Sequence, residues 1–163
     1  MGIEDGIYSY IEDYEMQSEN ILQFIDYMDE KLKDMFSEPT YNVDYIYEGN
    51  NVNPQNILDI GALDYLWGQD VDEPYVAIKN LKITKDMVTI YAKTTNTLKI
   101  TLPNKVNLIK FNASDEECQK FQTDGFIEIN VVGRCSINEF NGWINPQILI
   151  EDYQIIDSAK YYF

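Results

Sequence analysis

The hydrophobic positions in the first half of the chain alternate between helical and strand-like spacing. From Ser18 to Phe36 they recur every three or four residues, which predicts an amphipathic helix. Residues 41–47 (YNVDYIY) instead place Tyr or Val at every second position, as strands do. Asn53-Pro54 is typical of the start of a second helix, which Gly68 is expected to end. The pattern predicts a helix-strand-helix unit over residues 1–73.

After this unit the pattern changes to short runs with a period of two. The runs predict six strands, at Tyr75–Leu81, Met87–Lys93, Thr97–Leu102, Val106–Phe111, Phe126–Cys135 and Gln147–Ile156. Ser114–Phe121 begins with SDEE, a capping-box pattern, and predicts a short helix between strands. Asn141-Gly142 predicts a tight hairpin turn between the last two strands. A small barrel with one inserted helix is an OB-fold, so we predict an α+β chain with an OB-fold barrel over residues 74–163.

Charge is divided unevenly along the chain. The net charge of −16 belongs entirely to residues 1–78, which carry 18 acidic and two basic side chains, whereas residues 79–163 carry ten of each. Within the balanced half, residues 79–110 hold seven lysines and one aspartate, a net charge of +6. At 45% hydrophobic and 13% aromatic residues, the chain is too apolar for a disordered acidic tail, so we expect it to fold.

The chain contains no histidine. Ser-His-Asp and Cys-His hydrolases, His-ligated zinc sites and His-rich metal phosphodiesterases need an imidazole, so these classes are excluded. Cys118 and Cys135 lack CxxC spacing, which excludes a zinc knuckle and favours two reduced thiols. No apolar run reaches the length of a membrane span and the N-terminal residues carry no basic signal, so we expect a cytoplasmic protein without a membrane partner. No cofactor or metal site is predicted.

The lysine-rich stretch is the candidate nucleic-acid surface. OB barrels bind single strands through a basic groove and stacked aromatic side chains across their second and third strands. The residues expected to supply this groove are Tyr91, Lys93, Lys99, Lys105, Lys110, Phe111 and Arg134. The alternative interpretation is a solvated basic face that balances the acidic half of the chain.

The acidic first half allows the opposite interpretation, a row of carboxylates that imitates nucleic-acid phosphates. This acidic face consists of Glu12, Asp13, Glu15, Glu19, Asp26, Asp29, Glu30 and Asp34. Such a protein would occupy the nucleic-acid groove of a partner protein, as small phage-type inhibitors do. The simpler interpretation is a solvated helical surface that improves solubility.

Two smaller features have structural interpretations. Asp70, Asp72 and Glu73 form a compact carboxylate cluster that could hold Mg²⁺ or Ca²⁺, but it lacks the ligand order of an EF-hand and favours a polar turn. The Tyr-rich residues 41–47 and Tyr161–Phe163 could dock a partner. Tyrosines in half-buried strands explain them more simply.

The C-terminal stretch INVVGRCSINEFNGWINPQILIEDYQI combines a Val-Gly pair, an N-x-aromatic-x-G turn, a Pro-Gln pair and an I-x-D ending. These positions are Val132, Gly133, Asn138, Phe140, Gly142, Pro146, Gln147, Ile150 and Asp152. The combination resembles the C-terminal end of the RecJ family of single-strand-specific exonucleases. Trp67, Gly68 and Pro74 are similar to the family's entry into its oligonucleotide-binding domain, and Leu98, Lys99 and Phe111 fit its lysine-bearing strand pair. The resemblance covers about residues 20–157.

The resemblance implies an OB domain from the non-catalytic portion of the family. RecJ-like nucleases cut with metal-binding residues of a core marked by Asp-His-His, and with a Gly-Gly-His motif, and this chain has neither. We therefore predict a protein that is not an enzyme by itself, either a free-standing relative or a piece of a longer nuclease. The acidic first half and the single arginine, Arg134, depart from what a DNA-binding surface requires.

These observations lead to hypotheses of different classes. The first is a non-catalytic OB-fold protein that guides single-stranded DNA or docks onto a nuclease or DNA-repair partner. The second is an acidic inhibitor of a DNA-handling protein, of the kind that phages encode. The third is a structural subunit whose acidic half is buried against a basic neighbouring chain. The sequence indicates no oligomeric state.

Overall fold

The computed structural model of the chain describes residues 27–28, 40–68, 70–122 and 124–160. The chain divides into two compact units, residues 1–40 and 41–163. In the first unit Tyr27 and Met28 are helical, and the rest of the helix predicted over 18–36 lies outside the described residues. The boundary predicted at residue 73, and the acidic helix-strand-helix unit before it, stay predictions.

The described part of the second unit contains seven strands, two α-helices and two 3₁₀ turns. The strands are β1 (Tyr45–Glu48), β2 (Tyr75–Thr84), β3 (Val88–Ala92), β4 (Asn96–Thr101), β5 (Asn107–Ala113), β6 (Gly125–Phe140) and β7 (Trp143–Lys160). The helices are α1 (Pro54–Gly61) and α2 (Asp115–Lys120), and the 3₁₀ turns are Asp64–Leu66 and Lys85–Met87. All six strands predicted after Pro74 are present, and β6 and β7 are longer than their hydrophobic patterns indicated.

The strands form one sheet in the order β1-β2-β6-β7-β5-β4-β3. The pairs β1–β2 and β5–β7 are parallel, and the other neighbours are antiparallel. The sheet is open, with β1 and β3 at its edges, so the prediction of a closed barrel was wrong. The reason lies in β2, which pairs through one edge with β6 and through the other with β1. β2 therefore does not pair with β3, although only the turn Lys85–Met87 separates them.

Helix α1 begins as the sequence predicts and ends earlier. The Asn53 side chain accepts a hydrogen bond of 2.9 Å from the Gln55 amide, and Pro54 occupies the first helical position. The helix ends at Gly61, not at Gly68. Gly61 packs closely against Ser136 on β6, where a Cβ atom would lie only 3.1 Å from backbone. The apolar residues after Gly61 follow a 3₁₀ turn and lie largely at the surface.

The most local sequence signals are confirmed. In the capping box of α2, the Glu117 amide donates to the Ser114 hydroxyl at 3.1 Å, and the Ser114 amide donates to the Glu117 carboxylate at 2.7 Å. Asn141 and Gly142, with φ values of 51° and 77°, form the two-residue turn between β6 and β7. Strand β1 is shorter than predicted because the chain bends at Asp44, whose carboxylate accepts a hydrogen bond from the Tyr75 amide.

One hydrophobic core joins the sheet to both helices. Ile57 of α1, and Cys118 with the neighbouring Phe121 of α2, are buried in the same cluster as the inward-facing residues of the strands. Cys118 and Cys135 are free and buried, as expected for reduced thiols. Burial raises the pKa of the Cys135 thiol to about 12. None of the helices within the described ranges is long and apolar enough to cross a membrane.

Candidate nucleic-acid interface

The outer surface of the sheet follows from the strand registers. Directly opposed residues on neighbouring strands point to the same side of a sheet, and successive residues of one strand point to opposite sides. One row crosses from β3 to β2 through Thr89, Lys99, Ile109, Leu149, Arg134 and Tyr75. Leu98 and Ile100, the neighbours of Lys99 along β4, are fully buried. The row therefore faces away from the core.

Two aromatic side chains lie beside Lys99 on this outer side. Tyr91 on β3 is opposed to Thr97, and Phe111 follows Ile109 by two residues along β5, so both share the face of the row. Their exposed fractions are 50% for Tyr91 and 58% for Phe111, which is high for aromatic residues in strands. Exposed rings on a sheet provide the flat surface on which bases of single strands stack.

The turns at the two ends of β4 each carry a lysine. Lys93 lies between β3 and β4, beside an open groove of about 390 Å³ whose lining is mostly Thr, Asn and Ser. Lys105 lies in the turn between β4 and β5, with a φ of 69°. Successive turns of antiparallel strands lie at opposite ends of the strands. Lys93 and Lys105 therefore lie at the two ends of β4. We call this surface the lysine face, defined by Tyr91, Lys93, Lys99, Lys105 and Phe111.

Lys110 does not belong to the lysine face. It is opposed to the buried Leu98, so its side chain leaves the sheet on the inner side, next to α2. Its Nζ lies 5.9 Å from the centre of the Tyr153 ring. The Tyr153 hydroxyl donates to the Glu117 carboxylate at 3.0 Å, and burial together with this bond raises the pKa of Tyr153. Lys110 is thus part of a packed polar cluster beside α2.

Arg134 lies on the outer row but is held by two carboxylates. Its Nη1 is 2.9 Å from Glu73, and its Nε is 3.5 Å from Glu151. The hydrogen bond to Glu73 raises the pKa of Arg134. Glu73 belongs with Asp70 and Asp72 to the carboxylate cluster of the sequence. In the described ranges no group of three or more acidic or cysteine side chains is placed to hold a metal ion.

Some basic residues form ion pairs and others do not. Lys82, Lys85, Lys120 and Arg134 each have a carboxylate within 3.7 Å. Within the part of the chain that the structure describes, the three lysines of the lysine face form no ion pair, and neither do Lys79 on β2 and Lys110 on β5. The charge of that face is therefore available to an anionic ligand.

The sequence comparison identifies the domain that carries this surface. Residues 43–152 match the RecJ OB domain family. The chain belongs to this family. Two similar curated relatives are YorK from Bacillus subtilis (strain 168), which is derived from the SPbeta prophage, and yorK from Bacillus phage SPbeta, both provisionally named single-strand DNA-specific exonucleases. Each is 26% identical to this chain over 167 residues, which covers 97% of the chain and 29% of the relative. The chain thus spans about three-tenths of the length of these relatives.

The comparison confirms the resemblance to RecJ, and the family match over residues 43–152 is shorter than the stretch of about 20–157 over which the resemblance was predicted. The matched region is the OB domain, and the catalytic Asp-His-His region of RecJ-like nucleases is not part of the match. Both relatives are associated with the phage SPbeta, and the hypothesis of an acidic inhibitor stays a prediction. Whether the chain has any activity of its own stays a prediction.

The RecJ OB domain also exposes apolar residues that the sequence interpretation did not assign to a site. Phe140, Trp143 and Ile144 lie beside the β6–β7 turn, with Trp143 76% exposed. The sequence does contain a signal for this exposed patch, because two aromatic residues flank the Asn-Gly turn. The carboxylates that hold Arg134 left no comparable signal, because Glu73 is 61 residues away in the chain.

The acidic face predicted for a protein partner stays a prediction. All eight of its residues, from Glu12 to Asp34, lie outside the described residues, as do Tyr161–Phe163 of the predicted docking strip.

Proposed function

We propose that the lysine face of this RecJ OB domain binds single-stranded DNA. Lys93, Lys99 and Lys105 would contact separate phosphates along the strand, while Tyr91 and Phe111 would stack on bases. This division is how single-strand-binding proteins obtain affinity without reading sequence. The long-range repulsion from the acidic residues falls off over about 10 Å at moderate salt, which leaves a local basic surface usable.

The observation that carries this proposal is the coincidence of unpaired lysines with exposed aromatic rings on one outer face. Elsewhere, Lys82 and Arg134 on the strands and Lys85 in the turn before β3 have carboxylate partners, whereas Lys79 on β2 has none within the described ranges and lies beside neither Tyr91 nor Phe111. A basic surface that only balanced the acidic charge of the chain would be expected to pair its lysines in the same way. Instead, the lysines beside Tyr91 and Phe111 form no ion pair within the described ranges.

The role of the domain would be to hold single-stranded DNA for a nuclease activity supplied by other polypeptide. The relatives that carry the name of single-strand DNA-specific exonucleases are more than three times longer than the segment that matches this chain. A single-strand-binding surface next to a nuclease core keeps the substrate near the core by raising its effective concentration. Docking onto a nuclease or repair protein is part of the same proposal.

Fluorescence anisotropy with a labelled oligothymidine at about 50 mM salt tests the proposal. Lys99→Glu should weaken binding about tenfold or more, because it replaces a phosphate contact with a repulsive charge. Lys79→Glu is the matched control, since Lys79 is also an exposed strand lysine but lies on β2. Equal loss in both variants would indicate nonspecific attraction. No binding by the unmodified chain at low salt would refute the proposed function.

A further inference from the structure

The outer row of the sheet carries two cations, and aliphatic side chains lie between them. Lys99 on β4 and Arg134 on β6 are separated by β5 and β7, which contribute Ile109 and Leu149 to the row. Three strand spacings correspond to about 14 Å. A single strand of nucleic acid that crossed the sheet along this row would therefore meet both cations.

Arg134 is prevented from acting as such a contact by carboxylates from two different segments. Glu73 approaches from the segment before β2, where Tyr75 is opposed to Arg134. Glu151 approaches from β7, two residues after Leu149, at an irregularity in the pairing with β6. Two negative charges surround one positive charge, so the local charge is negative. A phosphate at this position would be repelled.

We propose that Glu73 and Glu151 withhold Arg134 from nucleic acid and thereby confine single-stranded DNA to the β3–β5 side of the sheet. The inference rests on the proposed function of the lysine face and adds the residues that limit its extent. An arginine would otherwise be the strongest phosphate ligand on the sheet, because its guanidinium can bind phosphate with two parallel hydrogen bonds. With Arg134 held, the domain binds a short stretch of the strand and binds it weakly.

Neutralising the two carboxylates should release the arginine. The variant Glu73→Gln with Glu151→Gln keeps the size of both side chains and removes both charges. We expect it to bind oligothymidine about threefold to tenfold more tightly than the unmodified chain at about 50 mM salt. The plot of log affinity against log salt should become steeper by about 0.7, the value for one added phosphate contact to a single strand.

Two further variants separate the release of Arg134 from a general change in charge. Glu139→Gln with Asp157→Asn changes the net charge by the same amount at exposed positions away from Arg134, and should leave the salt slope unchanged. The triple variant Glu73→Gln, Glu151→Gln, Arg134→Gln should return to the slope of the unmodified chain. Thermal unfolding by circular dichroism checks that every variant is folded before its affinity is compared.

The outcomes for the two proposals are distinguishable. If the unmodified chain binds and the double glutamine variant does not differ from it, the withholding of Arg134 is refuted and the lysine face stands. The same holds if the steeper slope persists in the triple variant. If only the double variant binds, and only with Arg134 present, the two carboxylates do withhold Arg134, but the lysine face is refuted and with it the confinement of DNA to β3–β5. If no variant binds, both proposals are refuted.

Discussion

The sheet has two halves, β3–β5 and β2 with β6 and β7, and the basic residues of the two halves differ in ion pairing. On the side of β3, β4 and β5, lysines lie beside exposed aromatic rings and form no ion pair within the described ranges. On the side of β2, β6 and β7, Lys82 lies 3.7 Å from Glu128 and Arg134 lies 2.9 Å from Glu73. Exposed ion pairs contribute little to folding stability, so their main effect here is on the charge that the surface presents.

This difference shows why the net charge of a domain is a poor guide to its ligand. Residues 79–163 have no net charge, yet the sheet is basic at β3–β5, whereas carboxylates neutralise Lys82 on β2 and Arg134 on β6. The charge that a ligand meets depends on which carboxylates lie within a few ångströms of each cation, because screening removes more distant contributions. The predictions below test this division, beginning with the largest expected effect.

Gly133→Ala should disrupt the paired side of the sheet. Gly133 on β6 lies so close to β7 that a Cβ atom would overlap the Leu149 carbonyl oxygen and approach Ile148 Cγ2 to 2.8 Å. We expect a loss of about 3 kcal/mol or more in the free energy of unfolding. Gly142→Ala, which has open space but a φ of 77°, should cost only about 1–2 kcal/mol. Urea denaturation measures both, and equal losses would contradict the close contact.

Phe111→Ala should weaken binding of oligothymidine by about five- to a hundredfold, the range for loss of one stacked base. Trp143→Ala is the control on the other side, since Trp143 is even more exposed but lies beside the β6–β7 turn. It should change the affinity by less than twofold. Anisotropy titration measures both. A larger loss of affinity for Trp143→Ala would instead indicate that DNA binds at the β6–β7 hairpin.

The salt dependence of binding should report the number of lysines in contact. Three phosphate contacts predict a slope of about −2 for log affinity against log salt. Lys105→Gln should reduce the magnitude of that slope by about 0.7 and Lys110→Gln should not, because Lys110 lies on the inner side against Tyr153. A titration from about 50 to 200 mM salt is sufficient. Equal effects of the two substitutions would contradict the assignment of their sides.

The smallest effect concerns acid stability beside α2. Burial acts to raise the pKa of Glu117, but hydrogen bonds from the Ser114 amide and the Tyr153 hydroxyl hold it below its ordinary 4.5. Its ionised form therefore stabilises the fold above pH 4.5, and this contribution is lost as the pH falls through the lowered pKa. Glu117→Gln should flatten that part of the stability profile, whereas Glu116→Gln should not. Thermal unfolding at several pH values measures the difference.

Local signals in the sequence predicted much of this fold. The Asn53-Pro54 helix start, the Ser114–Glu117 capping box and the Asn141-Gly142 turn each need only neighbouring residues, and all three are present. The open sheet depends instead on pairing between distant segments. No local pattern records that β1 occupies the second edge of β2.

The candidate site was predictable to a similar degree. The lysine-rich stretch and its aromatic residues were visible in composition, but the side of the sheet for each residue was not. Lys99 and Lys110 face opposite sides because of the number of residues in the turn and strand between them, which fixes the register. The pairing of Arg134 was not predictable, since its partners come from the segment before β2 and from β7.

The strand order also has a consequence for the way the chain folds. Strands β3, β4 and β5 follow one another through short turns, so their pairing requires only local loop closure. Pairing of β2 with β6 joins residues about 50 positions apart, as in the hydrogen bond between Asn80 and Asn130, and such closures are slow. We therefore expect the pairing of β3, β4 and β5 to form before the pairing of β2 with β6. The surface that we propose for DNA would then form before the contact between Arg134 and Glu73, which depends on the later pairing.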